Sequence, residues 1–200
     1  MLIFTRMGNK KQDLSNEMNE KTLSEVIIFP KDIEYSFSNG VLALRKGNNK
    51  VERKIQSLIK IKIEENKIIL SAKKNRRLEK RLLGSIKSHI INLIKGFEEG
   101  FIYKLQVVNV HFPMTVSYNK DKNELIVRNF LGERKDRIIK LVDDVDVRIN
   151  KDIIELESCD IEKAGQAATR IELGTKVSSK DRRVFQDGIF IIEKPGRIYL

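Results

Sequence analysis

The 200 residues are 40% hydrophobic and 34% charged, with 39 Lys and Arg against 28 Asp and Glu and a formal charge of +11. Such a hydrophobic share excludes a wholly disordered basic chain, and the charge points to a polyanionic partner rather than an acidic small molecule. One cysteine, Cys159, with two histidines, His89 and His111, excludes an internal disulfide framework and a Cys/His zinc site; with no apolar run of bilayer length and no signal peptide, a reducing compartment fits.

Residues 1–21 are polar, mixed in charge and without period, and are expected to form an extension, flexible or ordered by a partner, in which Met7 and Met18 are alternative starts. Then VIIF leads to a Pro-Lys-Asp turn, and Ile33, Tyr35 and Phe37 alternate with Glu34, Ser36 and Ser38. Period two predicts a half-buried strand. Asn39-Gly40 tolerates positive φ and predicts a hairpin returning through Val41–Leu44. A second hairpin is expected from Ile55–Ile63 and Lys67–Leu70 across Glu64-Glu65-Asn66. Spacing then becomes helical: Leu78, Leu82, Ile86, Ile90, Leu93 or Ile94, and Phe97 form one apolar face, and Gly100 helps to end the helix.

The same order recurs. Phe101–His111 reads as a long strand, Met114–Tyr118 and Leu125–Val127 as a hairpin, and Ile138–Val142, Val145–Ile149 and Ile153–Leu156 as further strands. Asp160 then caps a helix with apolar face Ile161, Ala164, Ala168 and Ile171. Strands followed by one helix, twice, about 80 residues apart, indicate an internal duplication. The expected fold class is α+β, two tandem modules each with an antiparallel sheet packed against a helix. The expected organisation is an extension 1–21, modules 22–100 and 101–175, and a basic C-terminal segment 176–200 outside the repeat.

No phosphate loop, dinucleotide fingerprint or G-x-S-x-G elbow occurs. Cys159 has no neighbouring histidine to activate it and is read as a small buried hydrophobe. The pairs Glu64-Glu65, Glu98-Glu99 and Asp143-Asp144 fall at turns or helix ends, where carboxylates are solvated, and both histidines are read as structural. The expectation is therefore no catalytic site, no metal, no cofactor and no small-molecule substrate.

Three basic groups are candidates for RNA contact. Lys73, Lys74, Arg76 and Arg77 open the long helix, the wrong end on dipole grounds, which suggests an external anion. Arg128, Arg134 and Arg137 flank the loop NFLGE. Lys176, Lys180, Arg182 and Arg183 lie in the C-terminal segment, where forked guanidinium groups suit phosphate and Phe185 is either core filler or a base stacker. No helix-turn-helix, finger or zipper spacing is present, so structured RNA recognised by shape and phosphate is the expected partner. The same surface would also serve a free regulatory RNA-binding protein, or an RNA-processing enzyme whose carboxylates converge in a cleft.

The strings IKGFEEGFIYKLQVVNVHFPMTV from Ile94 to Val116, VRNFLGE from Val127 to Glu133, and DRRVFQDGIFIIEK from Asp181 to Lys194 resemble the universal L-six family of the large ribosomal subunit, in its archaeal and eukaryotic form. SHIINLIKG and KTLSEVIIFPKDIEYSFSNG extend the likeness to about Lys21. The resemblance implies two duplicated α+β domains without catalytic activity. It further implies binding to large-subunit ribosomal RNA near the sarcin-ricin loop and factor-binding centre, chiefly through the second domain, among neighbouring ribosomal proteins and with translation factors nearby. A cytosolic ribosome is implied, with nucleolar transit in a eukaryote, and no membrane. Where family members usually have a Gly-Pro-x-Gly loop after the first hairpin, this chain has KGNNKVER, with only Gly47.

Overall fold

The computed structural model describes residues 23–199 apart from 31, 48, 56–57, 65–66 and 73–75. The extension expected over residues 1–21 lies outside the described residues. The chain divides into two units, Met1–Ile91 and Asn92–Leu200.

The first unit contains β1 (Ser24–Ile28), β2 (Glu34–Ser38), β3 (Val41–Lys46), β4 (Asn49–Lys54), β5 (Ile59–Glu64), β6 (Lys67–Ala72) and most of α1 (Arg77–Glu99). Its strands form two three-stranded antiparallel sheets, β1-β6-β5 and β2-β3-β4. Asn39 and Gly40 adopt φ of 50° and 77°, the left-handed pair that a two-residue hairpin turn requires, and β2 meets β3 in the register Ser38↔Val41. β4 is not expected from the sequence. Of its residues NKVERK only Val51 is buried, so no apolar alternation marks it, and it forms by pairing with β3. Ile55 closes this sheet by donating its amide to the Gly40 carbonyl, 2.8 Å; the expected strand Ile55–Ile63 therefore starts only at Ile59.

The buried face of α1 matches the expected one from Ile90 onward, where Ile90, Leu93 and Phe97 are buried, and departs from it in the first turns. There Leu78 is 48% exposed and Leu82 and Ile86 are half-buried, whereas Glu79 and Leu83 are buried. Glu79 takes an apolar position because its carboxylate accepts the Arg76 amide, 3.1 Å, supplying one of the orphan donors of the first turn. Lys87 of α1 pairs with Glu25 of β1 at 2.7 Å, and His89 meets Arg53 of β4 at 2.9 Å, so the helix lies beside strands of both sheets.

The second unit holds the end of α1, then β7 (Phe101–Val108), β8 (Thr115–Asn119), β9 (Glu124–Arg128), a single 3-10 turn (Phe130–Gly132), β10 (Arg137–Lys140), β11 (Asp146–Asn150), β12 (Ile153–Ser158), α2 (Ile161–Gly174), β13 (Gly188–Lys194) and β14 (Arg197–Ile198). The sheet orders are β10-β9-β8 and β11-β12-β7-β13-β14. β7-β12-β11 thus repeats β1-β6-β5, and β8 to β10 repeat β2 to β4. Asp160 caps α2 as expected, its carboxylate accepting the Glu162 amide at 2.9 Å. Ala164, Ala167, Ala168 and Ile171 on this helix are wholly buried, in a core with Leu105, Leu125, Phe130, Ile154 and Leu156.

Two features of this unit depart from the sequence reading. GIFIIEK in the C-terminal segment is β13, paired with β7 from Gly188↔Val108 to Glu193↔Lys104. It reads poorly as a strand because a near-continuous apolar run lacks the alternation of a half-buried one. Conversely β7 stops at Val108 rather than His111, because the amides of Val110 and His111 leave the ladder for the carboxylate of Asp187, at 2.8 and 2.9 Å.

Candidate nucleic-acid interface

The segment from Thr175 to Asp187 has no regular structure and is shaped by polar ties. The buried Thr175 hydroxyl donates to the Ile171 carbonyl, 3.0 Å, and accepts the Ile189 amide, 3.1 Å, fixing the exit from α2 against β13. Within the segment the Asp181 carboxylate accepts the Arg183 amide, 2.9 Å, and its carbonyl accepts the Val184 and Phe185 amides, a local side-chain turn of the kind Asp favours. At the far end Asp187, 2% exposed, grips Val110, His111 and the His111 ring.

Burial of Asp187 pushes its carboxyl pKa up, but the backbone amide and ring of His111, the Val110 amide and the charge of the imidazole outweigh it and hold the pKa below the usual aspartate value. The carboxylate is thus ionised, and His111 Nδ1 is the donor in the 2.6 Å contact. Asp187 is thus a buried clasp, and Gly188 after it is the first residue of a strand.

These ties leave Lys176, Lys180, Arg182 and Arg183 on the outside. All four are exposed, and among the described residues none of their side chains meets a carboxylate. Lys180 instead lies over the ring of Phe185 at 4.5 Å. Phe185 is half-buried, packs against the core and stacks on His111 with centroids 4.8 Å apart. Of the two roles the sequence allows, the packing fits core filler, with the added effect of seating Lys180.

The NFLGE loop is the second group. Asn129, Leu131 and Gly132 have φ of 56°, 51° and 78°; Leu131 pays about 1–2 kcal/mol for that conformation. Phe130, 1% exposed, anchors the bend in the core, and Asn129 Nδ2 donates to the Pro113 carbonyl at 2.9 Å. Arg134 is exposed, and Arg128 is exposed with a loose ion pair to Asp136 at 3.3 Å. Arg137 differs. Its guanidinium forks onto Glu133, lies 3.9 Å over the Phe130 ring, and donates to the carbonyls of Gly174 and Lys176 at 3.1 and 3.3 Å. The hydrogen bond from Arg137 lowers the Glu133 pKa. Arg137 therefore ties the second group to the third, with its donors engaged inside the chain.

In the first unit Arg76 and Arg77 are exposed at the start of α1; Lys73 and Lys74 lie outside the described residues. The sequence did not single out His111 or Asp187 as partners, and no local signal links two residues 76 positions apart. No group of three or more His, Cys, Asp and Glu able to hold a metal occurs among the described residues. Cys159, between β12 and α2, is half-buried and forms no disulfide. No described helix is long and apolar enough to cross a membrane.

A family model described as "Ribosomal protein L6" matches residues 112–188, a span that contains both basic groups of the second unit. The chain is 40% identical over 173 residues to a protein of Staphylothermus marinus named "Large ribosomal subunit protein uL6", covering 84% of this chain and 93% of that one. A protein of the same name from Methanococcus vannielii is 34% identical over 177 residues, covering 88% and 96%. A third, from Desulfurococcus amylolyticus, is 42% identical over 134 residues, covering 67% and 73%.

Proposed function

The chain belongs to the ribosomal protein L6 family, and from this we propose that it is held in the large ribosomal subunit by the basic loops of its second unit, near the sarcin-ricin loop and the factor-binding centre of the RNA. As a member it is a structural constituent of the large subunit, without catalysis, whose partners are ribosomal RNA and other ribosomal proteins. The cytosolic ribosome is its proposed place.

The carrying observation is that Lys176, Lys180, Arg182 and Arg183 stand exposed, with no ion pair to a carboxylate among the described residues, on a segment tied at both ends. Cations on a preorganised segment lose little entropy when phosphate binds, and several of them displace counterions together. Arg134 and Arg128, exposed beside the NFLGE loop, are proposed as further contacts. Arg137 is given a positioning part, because its donors already serve Glu133, Gly174 and Lys176. Lys73, Lys74, Arg76 and Arg77 are proposed as a separate contact made by the first unit.

Directed cleavage tests the siting. Iron-EDTA is tethered at R183C in a C159S background, the protein is assembled into large subunits, and hydroxyl radicals are released. Cuts in the sarcin-ricin loop and the strands beside it are expected. Cuts confined to distant RNA domains would overturn the siting while leaving family membership untouched.

A further inference from the structure

Beside the cationic segment, between the end of α2 and the start of β13, lies a groove of about 560 Å³, within the roughly 300–1,000 Å³ typical of small-molecule sites. Leu173, Val177, Phe185 and Phe190 give it an apolar wall, with Lys176 and Arg182 also lining it. Gly188 makes the wall possible. A Cβ there would stand 2.9 Å from the Phe190 ring and 3.5 Å from the Thr175 carbonyl, so only glycine lets that ring lie across the backbone. The frame is held independently of any ligand: Thr175 joins both sides through Ile189, and Arg137 grips the carbonyls of Gly174 and Lys176.

The charge of the groove is one-sided. Asp187 also lines it, but its carboxylate is spent on Val110 and His111. That leaves Glu172 against Lys176 and Arg182, neither of which meets a carboxylate among the described residues. Flat apolar wall and neighbouring cations are the two halves of a nucleotide site: a base covers the aromatic surface while its phosphate meets a guanidinium. A paired helix hides its bases, so only a splayed residue can enter.

We propose that this groove receives one unpaired nucleotide of the ribosomal RNA, its base against Phe190, Leu173 and Val177 and its phosphate on Arg182 and Lys176. The inference rests on the RNA-contact reading of the segment and goes further, since phosphate contacts alone need no groove and recognise no single residue.

The test blocks the groove without removing its cations. Leu173 is 61% exposed, so Leu173→Trp fills the space with little cost to the core. Large subunits from cells carrying only this variant are compared with wild type by base-specific chemical modification and by hydroxyl-radical protection of the RNA backbone. One nucleotide outside any helix is expected to gain about tenfold in base reactivity, the effect of losing one base-aromatic stack, while backbone protection beside it persists. Should Leu173→Trp fail to assemble, Arg182→Ala replaces it; because that variant removes the phosphate grip, the same nucleotide is expected to gain base reactivity and to lose backbone protection together, and no change in either would overturn the groove proposal. Unchanged base reactivity with intact backbone protection would overturn the groove proposal alone, as would a groove occupied by an acidic segment of a neighbouring protein in cross-linked subunits. Absence of backbone protection in the wild type would overturn the RNA-contact reading and the groove with it.

Discussion

The imidazole of His111 and the carboxylate of Asp187 stand 2.6 Å apart across 76 positions of sequence, and the same carboxylate takes the amides of Val110 and His111. One buried acid thereby ends β7, starts β13 and, through the His111 ring stacked on Phe185, sets the base on which Lys180 rests. The RNA-facing segment is built on a clasp rather than on secondary structure.

Acid should release that clasp. The folded Asp187 carboxyl has its pKa below the ordinary value of about 3.9, so its contribution is fully present above that value and is lost as pH falls through the folded one. Asp187→Asn is expected to cost about 2–4 kcal/mol at neutral pH, since buried donors lose their charged acceptor, and to flatten the acid limb of stability below about pH 4. Denaturant titrations at several pH values read both effects. A variant as stable as wild type, with the same acid limb, would remove the clasp from the account.

The share of this structure legible in the sequence follows the range of the interactions involved. Asn39-Gly40, the Asp160 cap and the Ala164–Ala168 face act within a few residues and gave the hairpin and α2 directly. β4, with Val51 its only buried residue, exists through its partner strand, and the true end of β7 is decided by Asp187. The cations were visible by charge alone; that Arg137 is turned inward was not, because its acceptors on Gly174 and Lys176 lie beyond the intervening strands and α2.

Removing the second tie should loosen the segment without unfolding the unit. Arg137→Ala is expected to lose about 1–2 kcal/mol and to raise amide exchange selectively around Thr175–Val177. Arg137→Lys should rescue little, because an ammonium has no planar fork for Glu133 and two carbonyls together. Uniform exchange across the second unit, or full rescue by lysine, would contradict the assigned part.

Gly96 tests the packing of the last turns of α1. A Cβ on it would stand 1.9 Å from the Cys159 carbonyl oxygen and 2.8 Å from the Phe101 ring, and a main-chain oxygen has nowhere to retreat. Gly96→Ala, ordinarily favourable in a helix, should here destabilise the second unit by about 3 kcal/mol or more. A melting temperature equal to or above wild type would show that α1 does not approach Cys159 so closely.

Charge reversal addresses the surface itself. Arg182 and Arg183 are exposed and among the described residues their side chains meet no carboxylate, so Arg182→Glu with Arg183→Glu should leave circular dichroism and melting of the free protein within about 0.5 kcal/mol of wild type. Incorporation into large subunits should fall sharply in competition with the wild-type protein. Equal incorporation would take the segment off the RNA.

Sedimentation of the endogenous protein, from lysates with subunits dissociated by magnesium removal and salt raised stepwise, tests the central claim most directly. The account predicts co-migration with the large subunit through moderate salt and release only when several phosphate contacts are screened together. Recovery in the light fractions already at low salt would contradict it, and would mean that this chain keeps the family fold without the family's place in the ribosome.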